Sequence, residues 1–129
     1  MLGRHIRVEH WANANDGGLA AGRSMAGVEV TYDPVPFFFS DQYDAGLEYA
    51  GYVPRDTDSE LVVRGDMAGN EFMAFWVVAG GVGVRVLAGM HVNTWDTMDA
   101  VQALIRKAAV VDPDRLADPT VPLDDLLAG

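Results

Sequence analysis

The sequence predicts an α+β domain: an antiparallel β-meander sheet of about four to five strands with helices packed on it. Three observations carry this. Apolar or alternating segments of strand length recur at 46–53, 60–66, 71–79 and 84–93, separated by turn residues. A Gly80-Gly81 pair stands between the last two, the composition of a hairpin turn. Behind them, Met98, Val101, Ile105 and Ala108 recur at helical spacing.

Taken in order, residues 4 to 10 are short, partly basic and β-tolerant. Trp11 to Met25 is Ala-rich and reads as a helix, with Gly27 as its C-cap. Gly17-Gly18 lies inside it, each costing up to ~1 kcal/mol relative to Ala. A helix with so many small residues is expected to pack closely on something. Pro34 and Pro36 lead into Phe37-Phe38-Phe39, a possible fifth strand. Side chains alternate along a strand, so at least one of these rings must point away from the local core. The second helix has Asn93 or Thr94 as candidate caps, Asp96 and Asp99 at its positive end, and Arg106-Lys107 at the other. The core is expected over about 4–111. An acidic tail at 112–129 carries three prolines and is expected to hug the surface with one or two short helical turns.

A length of 129 residues and 50% apolar content suit one folded domain. Nine basic residues stand against nineteen acidic ones, a net charge of −10. Such a surface repels phosphate backbones and anionic lipid, so neither nucleic acid nor membrane is an expected partner. The absence of cysteine excludes a thiol nucleophile, a Cys-bound metal and an in-chain redox disulfide. No signal sequence or spanning segment is recognisable, and a cytoplasmic location is expected.

Catalytic motifs are missing. His5, Glu9 and His10 spell H-x-x-x-E-H, one residue too long for an inverted zincin motif. Asp41, Asp44 and Gly46 lack the ladder of a calcium loop, and Gly80–Gly83 lies between strands rather than before a helix, so a hairpin outweighs a phosphate cradle. What stands out is an aromatic and polar cluster: His10, Trp11, Phe37, Phe38, Phe39, Ser40, Asp41 and Tyr43. It reads either as core or as a face that docks onto another domain, a partner or a flat ring.

Four strings, in order, resemble one family: IRVEHWANA at 6–14, VPFFFSDQYDAGLEYAGY at 35–52, VVRGD with EFMAFW at 62–76, and VLAGMHVNTWD leading into AVQALI at 86–105. They are similar to the C-terminal domain of FAD-dependent, NAD(P)H-using ferredoxin reductases. That group belongs to the pyridine nucleotide–disulfide oxidoreductase superfamily, which includes apoptosis-inducing factor. The resemblance implies a parent flavoprotein that passes electrons from NAD(P)H through FAD to a ferredoxin, with this domain forming one wall of the flavin site. It implies that Glu9, His10 and Trp11 set a helix N-terminus against the flavin, and that Phe38, Phe39, Ser40 and Asp41 form a loop near flavin and nicotinamide. No catalytic residue and no metal are implied.

The FAD and NAD Rossmann domains of that family have no counterpart in these 129 residues. The chain alone is therefore expected to bind FAD weakly and to have no turnover, its partners being those domains, in cis or in trans. Ferredoxin would be an indirect partner, because ferredoxins are themselves acidic and the −10 charge disfavours direct docking. Arg4, Arg7 and Arg23 near the first helix read as solvated charge rather than a docking patch. The alternative readings are a dimerising or interaction module, with a homodimer, and the small subunit of a split reductase.

Overall fold

The computed structural model describes residue 3 and residues 5–127. The hairpin β1 (Phe37–Gln42) and β2 (Ala45–Gly51) is followed by β3 (Glu60–Asp66), β4 (Glu71–Ala79) and β5 (Val84–Val92). All pairings are antiparallel, in the order β1-β2-β5-β4-β3, and a two-residue β6 (Val110–Val111) adds to β5. The class is the expected one, but the sheet is not a plain meander. β1-β2 and β3-β4-β5 each follow one another, but β2 pairs with β5, which sends β3 to the far edge. The segment 52–59 between β2 and β3 is long enough for that crossing, where a tight turn would have forced them together.

Strand boundaries shift at turns. β1 runs three residues beyond Phe39 because Tyr43, with φ of 57°, closes a two-residue turn to Ala45. β2 stops at Gly51 rather than Val53. At the Gly80 hairpin, the Gly80 N–H donates to the Gly83 carbonyl at 2.8 Å, leaving Val82 exposed at the tip. β6 has too few residues for a pattern to reveal it.

Helix α1 (Trp11–Met25) has the predicted span. It ends in paired bonds from Gly27 N–H to the Ser24 carbonyl and from Val28 N–H to the Arg23 carbonyl, both 3.0 Å. Gly27 stands at φ of 84°, which a residue without Cβ adopts cheaply. The expected close packing is absent: no residue of α1 is buried.

Helix α2 (Met98–Lys107) starts later than predicted, and neither Asn93 nor Thr94 caps it. Asn93 instead ties three turns, accepting from Gly46 N–H at 2.8 Å and donating to the carbonyls of Asp44 and Asn70 at 3.0 and 3.1 Å. Thr94 donates to the Val92 carbonyl. Met98, Val101 and Ile105 are buried as the stripe predicts, joined by Leu104; Ala108 is instead the exposed left-handed C-cap.

The segment after residue 111 does more than hug the surface. Asp112 caps a short helix, α3 (Pro113–Ala117), and a 3-10 helix follows at Leu123–Leu126. Their Leu116, Leu123 and Leu126 are buried in the same cluster as Phe75, Met73 and Leu104. The acidic residues between these leucines mask them in a composition reading. Arg64 on β3 holds the segment down, donating to the carbonyls of Leu116, Pro119 and Val121 at 3.4, 3.4 and 2.5 Å.

Alternation along the paired strands therefore defines two faces. The inner one, with Phe37, Phe75 and Val62, is covered by α2, α3 and the 3-10 helix. The outer one carries Phe38, Tyr49 and Trp76.

Candidate functional site

Edge strand β1 and the start of α1 bring the expected residues to one end of the domain, in two groups. His10 precedes α1 in extended conformation and makes no side-chain cap bond. The first intrahelical bond runs from Ala14 N–H to the His10 carbonyl, so the N–H groups of Trp11, Ala12 and Asn13 have no partner within the helix. No acidic residue lies in the first turn to neutralise that positive end. Trp11 is 74% exposed there. Glu9 is exposed and pairs with Arg7 at 2.7 Å. Asn13 anchors the entry, donating to the Val8 carbonyl, and the Tyr32 hydroxyl donates in turn to Asn13.

Along β1 the three phenylalanines separate. Phe37 packs on the inner core. Phe38 points outward, its ring 4.9 Å from that of His10 and stacked at 5.0 Å on Tyr49; Tyr49 meets Trp76 edge-on at 5.5 Å. Ser40 shares the outer side and accepts from Gln42 at 3.4 Å. Phe39 and Asp41 lie on the inner side, where Phe39 is 57% exposed opposite Glu48. His10, Trp11, Phe38 and Ser40 are thus separated by the strand from Phe39 and Asp41. β1 is a sheet edge, and α1 packs against it.

A cleft of about 400 Å³ lies on the outer side, lined by Glu9, His10, Phe38, Tyr49 and Tyr52 among others. His10 Nδ1 is buried there without a hydrogen-bond partner, and burial also raises the Tyr49 hydroxyl pKa. A second cleft, about 430 Å³, sits beside Arg64, Asn93 and Thr97 and contains none of the expected residues. Arg64 is committed to three carbonyls, which leaves the smaller cleft as the better candidate.

Sequence reasoning missed Tyr49 and the inner pair Glu48–His91. His91 is fully buried, its Nε2 2.8 Å from Glu48 Oε2, its Nδ1 unpaired, with Trp95 edge-on at 5.0 Å. Only the strand register, which sets Glu48 opposite His91, could have revealed them. Among the described residues no group of His, Asp and Glu is arranged to hold a metal ion, and no helix is long and apolar enough to cross a membrane. Arg4 lies outside the described residues.

The chain thus combines an antiparallel sheet with helices on one face, an uncapped helix start and aromatic rings at the sheet edge. The chain belongs to the family of reductase C-terminal domains, whose sequence profile matches residues 37–127. It is 38% identical over 127 residues to the ferredoxin–NAD(+) reductase component of an anthranilate 1,2-dioxygenase system from Burkholderia cepacia, covering 98% of this chain and 30% of that protein. It is 41% identical over 128 residues to the 5,5'-dehydrodivanillate O-demethylase ferredoxin reductase subunit of Sphingobium, covering 98% and 29%. Among solved structures it matches the reductase of a covalent putidaredoxin reductase–putidaredoxin complex at a TM-score of 0.80 and 30% identity, covering 97% of this chain and 28% of that one. The chain spans about three tenths of the length of these relatives.

Proposed function

We propose that this domain forms one wall of the flavin site in an NAD(P)H-dependent ferredoxin reductase and is not catalytic by itself. The observation that carries the reading is the uncapped start of α1 beside the largely buried His10–Phe38 ring pair. Helix N–H groups and a buried, unpaired His10 Nδ1 suit a flat heterocycle bearing carbonyl and N–H groups, and the rings of Phe38 and Tyr49 exclude water from its face. The fit is to a single side, so FAD and NAD(P)H would be held mainly by other domains. When bound, FAD supplies the chemistry that converts hydride transfer into single-electron delivery.

In this reading Trp11, His10 and the α1 N-terminus orient the ring and favour negative charge on it. Phe38 and Ser40 line it from the outer side of β1. Phe39 and Asp41 close it from the inner side, around the strand's edge, and Glu9 holds Arg7 away from the ring. The ferredoxin, acidic like this domain, docks elsewhere.

The test replaces the matched region of the Burkholderia cepacia relative by this chain and measures flavin retention. Trp11→Ala and Phe38→Ala should each speed flavin loss by about tenfold, ~1.4 kcal/mol, the size of one lost aromatic contact. Unchanged retention in both would sink the assignment.

A further inference from the structure

We infer that His91 is a positioning residue for the inner side of the flavin site: through Glu48 and Trp95 it sets where Phe39 and Asp41 stand. This rests on the function proposed above. Arg64 and His91 are the buried polar side chains among the described residues. Arg64 is committed to the C-terminal segment. His91 has no exposure; its Nε2 meets Glu48 Oε2 at 2.8 Å, and its Nδ1 has no partner. A buried ring nitrogen left unpaired is a cost to folding, and an apolar side chain of similar volume would avoid it. Stability therefore does not account for a histidine at this position.

Its surroundings do. Glu48 on β2 stands between His91 on β5 and Phe39 on β1, in one row across three strands. Side chains directly opposite have Cβ atoms about 4.5–5.5 Å apart, so a Glu48 side chain held by His91 bounds the place of the Phe39 ring. A second arm reaches Asp41. Trp95 meets the His91 ring edge-on at 5.0 Å, and its indole lies over Gly46, where a Cβ would run into it. That Cβ would also stand 3.3 Å from Asp41 Oδ1, since Gly46 is the partner of Asp41 across the hairpin. The absence of a side chain at residue 46 thus seats the indole beside the Asp41 carboxylate. Asn93 fastens the start of the loop that carries Trp95, accepting from Gly46 N–H at 2.8 Å. Helix α2 packs on β2 and β5, and Phe39 beyond them stays 57% exposed. The backing of Phe39 and Asp41 comes from Glu48 and Trp95, and both of these rest on His91.

The experiment uses the 129-residue chain and the Burkholderia cepacia graft. His91→Leu removes both nitrogens and keeps the buried volume; Glu48 is 26% exposed, so its carboxylate retains access to water. Glu48→Gln keeps a partner for Nε2. In the chain, His91→Leu should match or exceed the wild-type urea midpoint. Its amide exchange over 39–48 should quicken about fivefold, the equilibrium share of one hydrogen bond, with β3 unchanged. In the graft the flavin should stay bound and become about fivefold more open to iodide quenching, while Glu48→Gln stays within about twofold of wild type in both assays. Unchanged exchange and quenching beside bound flavin overturn the positioning role and leave the flavin reading standing. Faster exchange without a change in quenching confines the effect to the hairpin and overturns it too. A lower urea midpoint or a failure to fold makes the histidine structural, and Glu48→Gln as impaired as His91→Leu removes the hydrogen bond as the means; each overturns the inference. A graft that never takes up flavin overturns the flavin reading and this one with it.

Discussion

Replacing Arg64 by Met removes the clamp on the C-terminal segment while keeping an unbranched stem in its place. The guanidinium is almost buried and reaches three carbonyls, one at 2.5 Å and two at 3.4 Å. A hydrogen bond from a charged donor is worth ~1.5–3 kcal/mol. The short bond to Val121 falls within that range, while the two long ones contribute roughly 0.5 kcal/mol each by their stretched geometry. Burial holds the Arg64 pKa down, with Asp118 acting the other way, so some of the gain is offset by desolvation. The expected net loss is about 2 kcal/mol, read by urea unfolding. Amide exchange should accelerate locally over 113–127, where Leu116, Leu123 and Leu126 lose their restraint. A change below about 0.5 kcal/mol, at the level of ordinary surface substitutions, or exchange that accelerates evenly through the sheet, would refute the clamp.

Leu116→Ala should cost about 2–5 kcal/mol in the same assay, because Leu116 is fully buried and its removal leaves a cavity. Asn93→Gly should cost about 2 kcal/mol through three lost bonds, and Asn93→Ala about 1 kcal/mol more, since residue 93 stands at φ of 54°; equal values would remove the strain from the account. Burial raises the Tyr49 pKa, so an ultraviolet pH titration of wild type against Tyr49→Phe should show this hydroxyl ionising above the ordinary tyrosine range. A group with a raised folded pKa gives stability that is complete below its unfolded value near 10 and lost as pH rises through the folded one. The Asp118 carboxyl is held below its usual range, first by the Thr120 hydroxyl and then by the Thr120 N–H. Its contribution is present above the unfolded pKa and lost as pH falls through the folded value, so Thr120→Val should flatten the stability profile in that acid range.

Long periodic segments were legible in the sequence: α1 to the residue, the β3, β4 and β5 strands within one, and the buried stripe of α2. Strand order was not, because a hairpin and a crossing connection leave similar turn residues and only pairing distinguishes them. The leucines at 116, 123 and 126 were hidden among aspartates and prolines, since a helix as short as α3 has no full period to display. Asn93 looked like a cap because Asn favours caps, yet the same donor and acceptor pair serves a turn junction equally well. At the candidate site, alternation alone predicted that the three phenylalanines diverge. The naming of Glu9 through Trp11 and Phe38 through Asp41 came from family strings, and β1 then divides them between its two sides. Tyr49 escaped notice because its partners Phe38 and Trp76 are distant in sequence and meet only in the folded sheet.

In the function proposed above, this domain completes a flavin-dependent reductase. The most direct test is NADH-dependent ferredoxin reduction by the Burkholderia cepacia relative with its matched region replaced by this chain, against the same protein with that region deleted. A yellow graft that reduces ferredoxin is expected, and a deletion that does neither. A folded graft without flavin or ferredoxin reduction, or a deletion as active as the graft, would contradict that function.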